Sequence, residues 1–529
     1  MGAQTKRITA VDEGFVNLGR VPDLKEKGRA VVKHGGRQIA LFEVDGEIFA
    51  INNGCPHEGY PLVEGSLKKD CKLACNWHGW TFDLRSGKAL QGRDAVKTYP
   101  VERRGGEIWV DVTPVPPEAR RRAAYAELGE AVAEHDYERI ARSIARLGAA
   151  GETGDDLARY IIKWSLPRFE RGIGHAHAGL ADWLTLAEAY PAVERVALLE
   201  ALGHFSYDGM YSAKPSSIGQ PVRWNASGLV AAIEAMDQPL SLAYVHAAYT
   251  AGFGFDDLKP LFLKVVFNHY AGFGHPAIYI MKAEQLIDRL GQEVSEPLSL
   301  QIARYLCLAA REDLIPEFRG FSDYLKLEPG NACPSATDNL SGQGVRNAMA
   351  LTAASSARHQ ETWDTLVAAC ALNMLHFDLE RQNIVKQPIA KNIGWLDFTH
   401  ALTFAEAVHF HASHDSKLWQ SGLMQLACFV GRNKAFLGAG DIDAWRVEDA
   451  VTFLKMQKEA LFDMDEGEYI FAVHRLKMIL ACENLVALVS AKTADLVLAA
   501  LNRYLSSRLR KRHAARTAFQ AYETVMREG

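Results

Sequence analysis

The sequence of 529 residues lacks several features that mark whole classes of protein. No apolar run reaches the roughly 18 residues that a membrane helix needs, and the first residues lack the apolar core of a signal peptide. The net charge of -5 comes from interspersed acids and bases, without a long basic tract that would bind phosphates. We therefore expect a cytoplasmic protein without a membrane or nucleic-acid partner.

Cysteine is scarce and widely spread. The eight cysteines do not form the close-spaced framework of a small secreted domain. A Gly-x-Gly-x-x-Gly loop after a strand is also missing, so a bound dinucleotide is not expected. Length alone suggests about two to four domains.

The pattern of the chain changes once, near residue 114. Before it, short β-branched or alternating runs are separated by turn pairs such as Asp45-Gly46, which predicts a small antiparallel all-β domain over residues 1–113. Three prolines then open a linker at 114–125. Residues 126–529 show apolar residues at helical spacing and predict a large all-α domain. The clearest helical runs are 137–147, 183–202, 298–310, 362–379 and 470–489.

The strongest local signal is a pair of cysteine–histidine motifs in the β domain. Cys55 and His57 form a Cys-x-His loop, and Cys75 and His78 form a Cys-x-x-His loop. In a Rieske [2Fe-2S] centre two thiolates hold one iron and two imidazoles hold the other. Zinc also accepts two cysteines and two histidines, but in the sequence of a zinc finger one cysteine is usually paired with the other and one histidine with the other. The alternating pairs among β-hairpins favour the iron cluster.

The β domain therefore resembles Rieske ferredoxin domains. The resemblance implies one-electron transfer to an acceptor. Ordinary Rieske oxygenases continue into a β-rich catalytic domain with an Asp/Glu-x2-His-x4-5-His iron site, and this chain does not match that pattern. Its nearest string begins at Asp397 and includes His400, but the next histidine is His409, and the surroundings are helical.

All but three of the eighteen histidines follow residue 113, and a few of them stand in apolar helical surroundings. His400 begins an apolar stripe, where a core role competes with a ligand role. His474 and Lys477 are three residues apart and so share a helix face. Lys477 either extends to solvent or is buried with compensation, and carboxylation of its amine would make it an anionic oxygen ligand.

Two more histidine segments are candidates. Pro276 suits the first turn of a helix and places His275 at the helix cap, where a side chain faces a cleft or simply packs. His175 and His177 are two residues apart, about 200° around a helix, so at most one of them would bind a shared metal.

Taken in chain order, these segments resemble the questin-oxidase-like family of non-haem iron oxygenases. The resembling motifs are His175-Ala176-His177, His275-Pro276, His400-Ala-Leu-Thr403 and His474-Arg-Leu-Lys477. The resemblance implies a histidine-rich mononuclear iron completed by a modified lysine, and oxidation of anthraquinone-like aromatic polyketides. This chain departs from the family at Leu180, where a further histidine is usual, and in beginning with a Rieske domain.

The remaining histidines are assigned to other roles. A di-iron site needs Glu-x-x-His on two helices, and Glu406-Ala-Val-His409 is the one such string that we find. We therefore expect His409, His411 and His414 to lie outside the ligand set. His204, Tyr207 and Asp208 are candidates for a substrate pocket, and His204 is also a candidate fourth ligand.

The sequence leads to one hypothesis and one alternative. The hypothesis is an oxygenase that takes electrons from an external reductase or ferredoxin, passes them through the [2Fe-2S] cluster to a mononuclear iron, and uses O2 to oxidise a hydrophobic, aromatic or polyketide-like substrate by hydroxylation or C–C cleavage. Transfer would take place within a subunit or between subunits of a homo-oligomer. The alternative is an electron-transfer protein whose helical domain is a docking or assembly module without a second metal.

Overall fold

A computed structural model describes residues 14–388, 391–463, 467–508 and 513–528. The chain divides into two compact units, the first ending at Ala123 and the second beginning at Ala124. Helix α2 (Pro117–Ala133) runs through part of the segment that we predicted as a linker. None of the described helices is both long and apolar enough to cross a bilayer.

The first unit consists of three antiparallel sheets and one short helix, α1 (Val21–Lys27). The strand orders are β1-β11-β10, β2-β3-β4-β9 and β5-β6-β7-β8. The strands are β1 (Phe15–Arg20), β2 (Arg29–His34), β3 (Arg37–Val44), β4 (Glu47–Asn52), β5 (Ser66–Lys68), β6 (Lys72–Ala74), β7 (Thr81–Asp83), β8 (Ala89–Gln91), β9 (Thr98–Tyr99), β10 (Val101–Arg104) and β11 (Glu107–Asp111). The predicted antiparallel β fold is confirmed.

Strand β3 separates two hydrophobic cores. Its side chains alternate between the two faces of the sheet because successive residues of a strand point in opposite directions. Ala40 and Phe42 pack into the core that contains Cys55 and Cys75. Ile39 and its neighbour Leu41 belong to the other core. Burial on both faces of β3 thus explains why residues 39–42 are all apolar.

The second unit is helical throughout its described length apart from loops, as predicted. Its helices after α2 are α3 (Tyr137–Ala149), α4 (Gly154–Ser165), α5 (His175–Ala189), α6 (Glu194–Tyr211), α7 (Ala226–Glu234), α8 (Gln238–Thr250), α9 (Phe255–Asn268), α10 (His275–Leu290), α11 (Ser295–Leu308), α12 (Phe321–Tyr324), α13 (Thr337–Ser341), α14 (Val345–Ser355), α15 (His359–Leu375), α16 (Leu396–His414), α17 (Trp419–Asn433), α18 (Ala450–Ala460), α19 (Tyr469–Val486), α20 (Ala491–Ser506) and α21 (Ala514–Val525).

Four of these helices enclose the central part of the unit. Helix α5 packs on α10, α10 on α16, α16 on α19, and α19 on α5, which closes a ring. Each contributes buried apolar residues to one extended core. Closely packed helices bring side chains from distant parts of the sequence into one interior space, where metal sites are commonly built.

Candidate metal centres

Cys55 and Cys75 lie in two loops with the same backbone geometry. In each loop the cysteine carbonyl accepts a hydrogen bond from the glycine four residues on, at 2.8 Å from Gly59 and 3.0 Å from Gly79. Both glycines adopt a positive φ, +78° and +75°, which residues with a side chain rarely adopt. Each cysteine N–H donates to the carbonyl five residues on. The loops therefore present equivalent sites.

The four predicted cluster ligands converge at the ends of these loops. The Nδ1 atoms of His57 and His78 are 3.1 Å apart; His78 is exposed and His57 is half-buried. The two cysteines are buried, and burial, with a further contribution from the Cys75 thiol, raises the pKa of Cys55 to about 11. Adjacent buried thiols stay protonated unless a cation compensates the thiolates. These donors fit a [2Fe-2S] cluster, and the ligand assignment stays a prediction.

A second group of four histidines lies inside the helical ring. His175 and His275 are the first residues of α5 and α10, His400 belongs to α16, and His474 belongs to α19. Neighbouring ring centroids around the group are 4.4 to 4.9 Å apart. The cyclic order of the rings follows the order in which the four helices pack. The sequence predicts His275 at the cap of this helix, whereas in the structure Gly274, with φ +84°, is the N-cap.

The hydrogen bonds of these histidines fix which ring nitrogen carries the proton. The Nδ1 atoms of His275, His400 and His474 lie against the carbonyls of Gly272, Leu396 and Ile470, at 2.5 Å for His275 and 2.6 Å for His474. A carbonyl only accepts, so each Nδ1 donates and each neutral ring has a bare Nε2 lone pair. Such hydrogen bonds orient histidines that bind metals.

The bare nitrogens face one another. The Nε2 atoms of His400 and His474 are 3.2 Å apart, and ring nitrogens of His175, His275 and His400 lie within 4.8 Å of one another. The Nε2 atoms of His175 and His275 are buried without a hydrogen-bond partner. Lone pairs at these distances repel unless a cation lies between them, so the donor set fits a metal ion.

Burial keeps these imidazoles neutral. Desolvation, followed by the neighbouring cationic groups, lowers the pKa of His175, His400 and His474 well below the usual value. For His275 the same causes lower the pKa to about 4. Neutral imidazole is the form that binds metals, and four such rings suit a transition metal such as iron, copper, nickel or zinc.

Lys477 lies on the same helix as His474 and is buried, so the interpretation that it extends to solvent is wrong. Its Nζ atom has no hydrogen-bond partner. Burial lowers the pKa of Lys477 to about 8, against the partly compensating charge of Asp182. An amine in this environment is readily uncharged and therefore nucleophilic.

A layer of buried charges surrounds Lys477. Lys282 Nζ lies 2.7 Å from Asp182 Oδ1, and Asn484 donates to Glu406 at 2.6 Å. Burial by itself would lower the pKa of Lys282, but Asp182 and Glu406 raise it above its usual value. Burial raises the pKa of Glu406. Buried charges persist only when they are compensated in this way.

A cavity of about 610 Å³ opens beside the histidine group. His175 and His275 form part of its wall, together with the predicted pocket residues Tyr207 and Asp208. The cavity is within the range of about 300–1,000 Å³ that is usual for small-molecule sites. Other lining residues are Phe169, Arg171, Tyr211, Phe273, Tyr279, Tyr305 and Leu308.

Two predicted residues lie apart from the histidine group. His177 is fully buried, with Nε2 3.1 Å from the Ser165 hydroxyl, and burial lowers its pKa to about 3. Its hydrogen bonds account for it as a packed core residue. His204 lies behind the cavity wall, where its Nε2 is 3.6 Å from Asp208 Oδ1. The proposal that His204 is a fourth ligand has no geometric support.

The histidines in the C-terminal part of α16 also lie outside the histidine group. His411 Nε2 donates to the Ala277 carbonyl at 2.9 Å, and His409 packs 4.7 Å from the Trp363 ring. Glu406 hydrogen-bonds Asn484 as described above. That His409, His411 and His414 lie outside the ligand set stays a prediction.

Sequence reasoning missed Asp182, Lys282 and the cavity tyrosines other than Tyr207. A usable signal was present, because Asp182 follows His175 by seven residues and Lys282 follows His275 by seven. Seven residues are about two helical turns, so each pair shares a helix face. Tyr279 was missed as well, although it lies four residues after His275; its hydroxyl is 3.2 Å from His175 Nδ1.

Known proteins resemble the first unit of this chain. The family model described as Rieske [2Fe-2S] domain matches residues 14–100. The 3-phenylpropionate/cinnamic acid dioxygenase ferredoxin subunits of Shigella flexneri serotype 5b (strain 8401) and Escherichia coli (strain K12) are each 42% identical over 81 residues, which is 15% of this chain and 76% of the relative.

Solved structures also match a part of the chain. The terminal oxygenase of carbazole 1,9a-dioxygenase from Nocardioides aromaticivorans IC177 is 28% identical, with a TM-score of 0.19, over 20% of this chain and 32% of the oxygenase. This chain thus spans about a third of that oxygenase. The Sphingomonas yanoikuyae B1 ferredoxin is 29% identical, with a TM-score of 0.18, over 19% of this chain and 98% of the ferredoxin. From the family model and the 42% identical relatives, we conclude that the chain belongs, through residues 14–100, to the Rieske [2Fe-2S] domain family.

Proposed function

We propose that the protein is an oxygenase in which the Rieske unit supplies electrons to a mononuclear iron bound by the helical unit. The observation that carries this proposal is the convergence of the bare Nε2 atoms of His275, His400 and His474 beside His175. A Rieske domain moves single electrons, and an oxidoreductase that contains one needs an acceptor. Among the metals that imidazole binds, iron fits a redox partner of the cluster, whereas zinc has no redox chemistry.

The proposed iron ligands are His175, His275, His400, His474 and Lys477. Lys477 would bind through an oxygen after its amine reacts with CO2, because the unmodified amine would be a weaker ligand and leave the metal's positive charge less compensated. When bound, the iron would supply one-electron activation of O2. The Asp182–Lys282 pair and Glu406, which lie around Lys477, would hold its side chain in position.

The protein's own groups would prepare the substrate. The 610 Å³ cavity would take a hydrophobic aromatic or polyketide-like molecule between the rings of Phe169, Tyr279 and Phe273. Since His175 and His275 form part of the same wall, the bound molecule would lie next to the metal ligands. Aromatic walls exclude water from the reacting groups, and Tyr279 orients the His175 ring through its hydroxyl.

An external reductase or ferredoxin would reduce the cluster. The half-buried ring of His57 and the exposed ring of His78 would be the exit and entry points for electrons, because they belong to the accessible edge of the cluster site. Trp77, with 60% of its surface exposed, adds an apolar contact beside His78. The proposed substrate is an aromatic molecule, and the proposed product is its hydroxylated or cleaved derivative.

Isotope incorporation tests the proposal. The full-length chain, supplied with NADH and a ferredoxin reductase, would be incubated under ¹⁸O2 with a panel of polycyclic aromatic compounds. We expect ¹⁸O in at least one product with the wild-type chain and none with His400→Ala, which keeps the cluster's visible absorbance. Equal product formation by His400→Ala would contradict the proposal.

A second candidate is an electron carrier without a helical metal. The 42% identical relatives are ferredoxin subunits, which favours this reading of the first unit. It predicts a chain that accepts and donates electrons but contains only the two irons of the cluster. The metal content of the purified chain distinguishes the two functions.

A further inference from the structure

The wall of the large cavity contains a carboxylate that the proposed metal chemistry does not use. Among the described lining residues, Asp208 is the single acid. It lies in the last turn of α6, and 32% of its side chain is exposed. Six of the lining residues are phenylalanines or tyrosines, with Phe169, Phe273 and Tyr305 among them. A lone acid in such a wall is the group that sets the orientation of a bound molecule.

Two polar groups lie close to the Asp208 carboxylate, which also lines the cavity. Its carboxylate accepts a backbone hydrogen bond from Ala176, and His204 Nε2 is 3.6 Å from its Oδ1. In the described part of the chain no lysine or arginine forms an ion pair with Asp208. Burial raises the pKa of Asp208 to about 7, so the carboxyl both accepts and releases a proton near neutral pH.

The other polar groups favour a neutral ligand that becomes an anion. Arg171 lines the same cavity, and its positive charge disfavours an ammonium ligand. Burial raises the pKa of Tyr279 and Tyr305 above the usual tyrosine value, so both hydroxyls stay protonated and serve as donors. A carboxylate that accepts a proton, together with hydroxyl donors and a guanidinium cation, suits a phenol. The phenol hydroxyl first donates a hydrogen bond, and its oxygen carries a negative charge once the proton has left.

We propose that Asp208 binds the hydroxyl group of a phenolic ligand in this cavity and accepts its proton. The phenol O–H bond breaks, an O–H bond forms on the Asp208 carboxylate, and the ligand becomes a phenolate. A phenolate gives up electrons more readily than a phenol, so the step would prepare the ring for oxidation. This inference rests on the proposed function for its role in the reaction, but the binding step needs no iron.

Several titratable or charged groups lie next to Asp208 or line the same cavity. On its own helix these are His204, Tyr207 and Tyr211; from other elements they are His175 on α5, Tyr279 on α10, Tyr305 on α11 and Arg171 in the loop before α5. Burial lowers the pKa of His204 to about 3, so it stays neutral where Asp208 titrates. Phenol binding should therefore weaken as the pH falls below about 7 and the carboxylate is protonated.

Calorimetry with two matched ligands tests this inference. The anaerobic full-length chain would be titrated with 2-naphthol and with 2-methoxynaphthalene, which lacks the hydroxyl hydrogen. We expect Asp208→Asn to weaken naphthol binding by about tenfold or more, since a hydrogen bond to a charged group is lost. Binding of the methoxy compound should change less than about twofold, the scale of a surface substitution. Asp495→Asn, an exposed acid on α20, is the matched control.

The outcomes separate this inference from the proposed function. An equal loss for both ligands in Asp208→Asn, an unchanged naphthol affinity, or no binding of either ligand by the wild-type chain would overturn the role of Asp208. A chain that lacks the helical iron but binds naphthol through Asp208 would overturn the oxygenase and keep the inference.

Discussion

At Lys477 an amine is enclosed without a hydrogen-bond partner, next to four imidazoles and within the electrostatic influence of the buried Asp182–Lys282 pair. A carbamate on this amine would add an anion where the bound metal needs one. We expect bicarbonate to tighten Fe(II) binding by at least about fivefold, a typical coupling between two ligands. Equilibrium titration of the iron-depleted chain, with and without CO2 in the buffer, measures this.

Lys477→Met is the matched variant for that titration. It keeps the length of an unbranched side chain but removes the nucleophile, so its iron affinity should be lower and independent of bicarbonate. A bicarbonate effect of the same size in Lys477→Met would show that CO2 acts elsewhere in the protein.

His269 provides a pH-dependent contribution to stability at a site unrelated to the metals. Its Nδ1 is 2.9 Å from Glu312 Oε1, and its Nε2 is 3.0 Å from Glu234 Oε2. The hydrogen bond with Glu312 is the main cause that raises the pKa of His269. Because the folded pKa exceeds the unfolded value of about 6.5, the stabilisation is complete below about pH 6.5 and disappears as the pH rises through the folded pKa.

The expected result is a pH-dependent effect of His269→Gln. Calorimetric melting of the helical unit should show a larger decrease in melting temperature at pH 6 than at pH 9. The exposed pair Lys326–Asp323 supplies a control, since Lys326→Gln should change the melting temperature little at either pH. An effect of His269→Gln that is equal at both pH values would mean that packing, not protonation, stabilises the site.

Single residues were predictable where the signal is local. The cluster motif is readable because its four predicted ligands lie in two short loops. For the helical site the sequence predicted the candidate histidines but not which of them lie together. Their arrangement depends on how α5, α10, α16 and α19 pack. Helical geometry limits the choice between His175 and His177 to one, and the packing of α5 places His175 in the group of four histidines.

At the scale of elements, the start of α10 positions the histidine group. Gly274 has φ +84°, and a Cβ added there would lie 2.7 Å from the Phe404 ring. Gly274→Ala should therefore cost about 1–2 kcal/mol in backbone strain alone and displace His275. We expect a lower melting temperature and a loss of helical iron, measured by calorimetry and metal analysis.

Gly252→Ala is the matched control for this effect. Gly252 has a similar φ of +87°, but a Cβ added there would meet nothing within 4 Å. It should show the cost of backbone strain without a loss of iron. Equal iron content in the two variants would contradict the role of Gly274 in placing His275.

The structure forms helices and strands where the sequence pattern predicts them, but one predicted helix is divided in two. The apolar run 183–202 predicts a single helix, whereas the structure ends α5 at Ala189 and begins α6 at Glu194. Pro191 accounts for the break, because proline lacks the N–H that a helix interior needs and restricts the preceding residue. The break lets α6 turn back along α5 and bring Asp208 to the cavity beside His175.

At the scale of the whole molecule, the chain joins two kinds of donor set in two compact units. The first unit offers paired thiols and imidazoles in β loops, and the second offers imidazoles and a lysine inside a helical ring. The fold class of each unit was predictable from the change of periodicity near residue 114. The buried layer of Asp182, Lys282 and Glu406 was not, because charged residues in helices are usually exposed.

Metal analysis of the wild-type chain and His474→Ala tests the central claim most directly. Iron would be counted by plasma mass spectrometry and inorganic sulfide by colorimetry, on protein purified without oxygen. The account predicts about three irons and two sulfides per wild-type chain, because a [2Fe-2S] cluster contributes two of each. His474→Ala should retain about two irons with both sulfides. A wild-type chain with only the cluster irons, or a variant that keeps all of its iron, would contradict the second metal site.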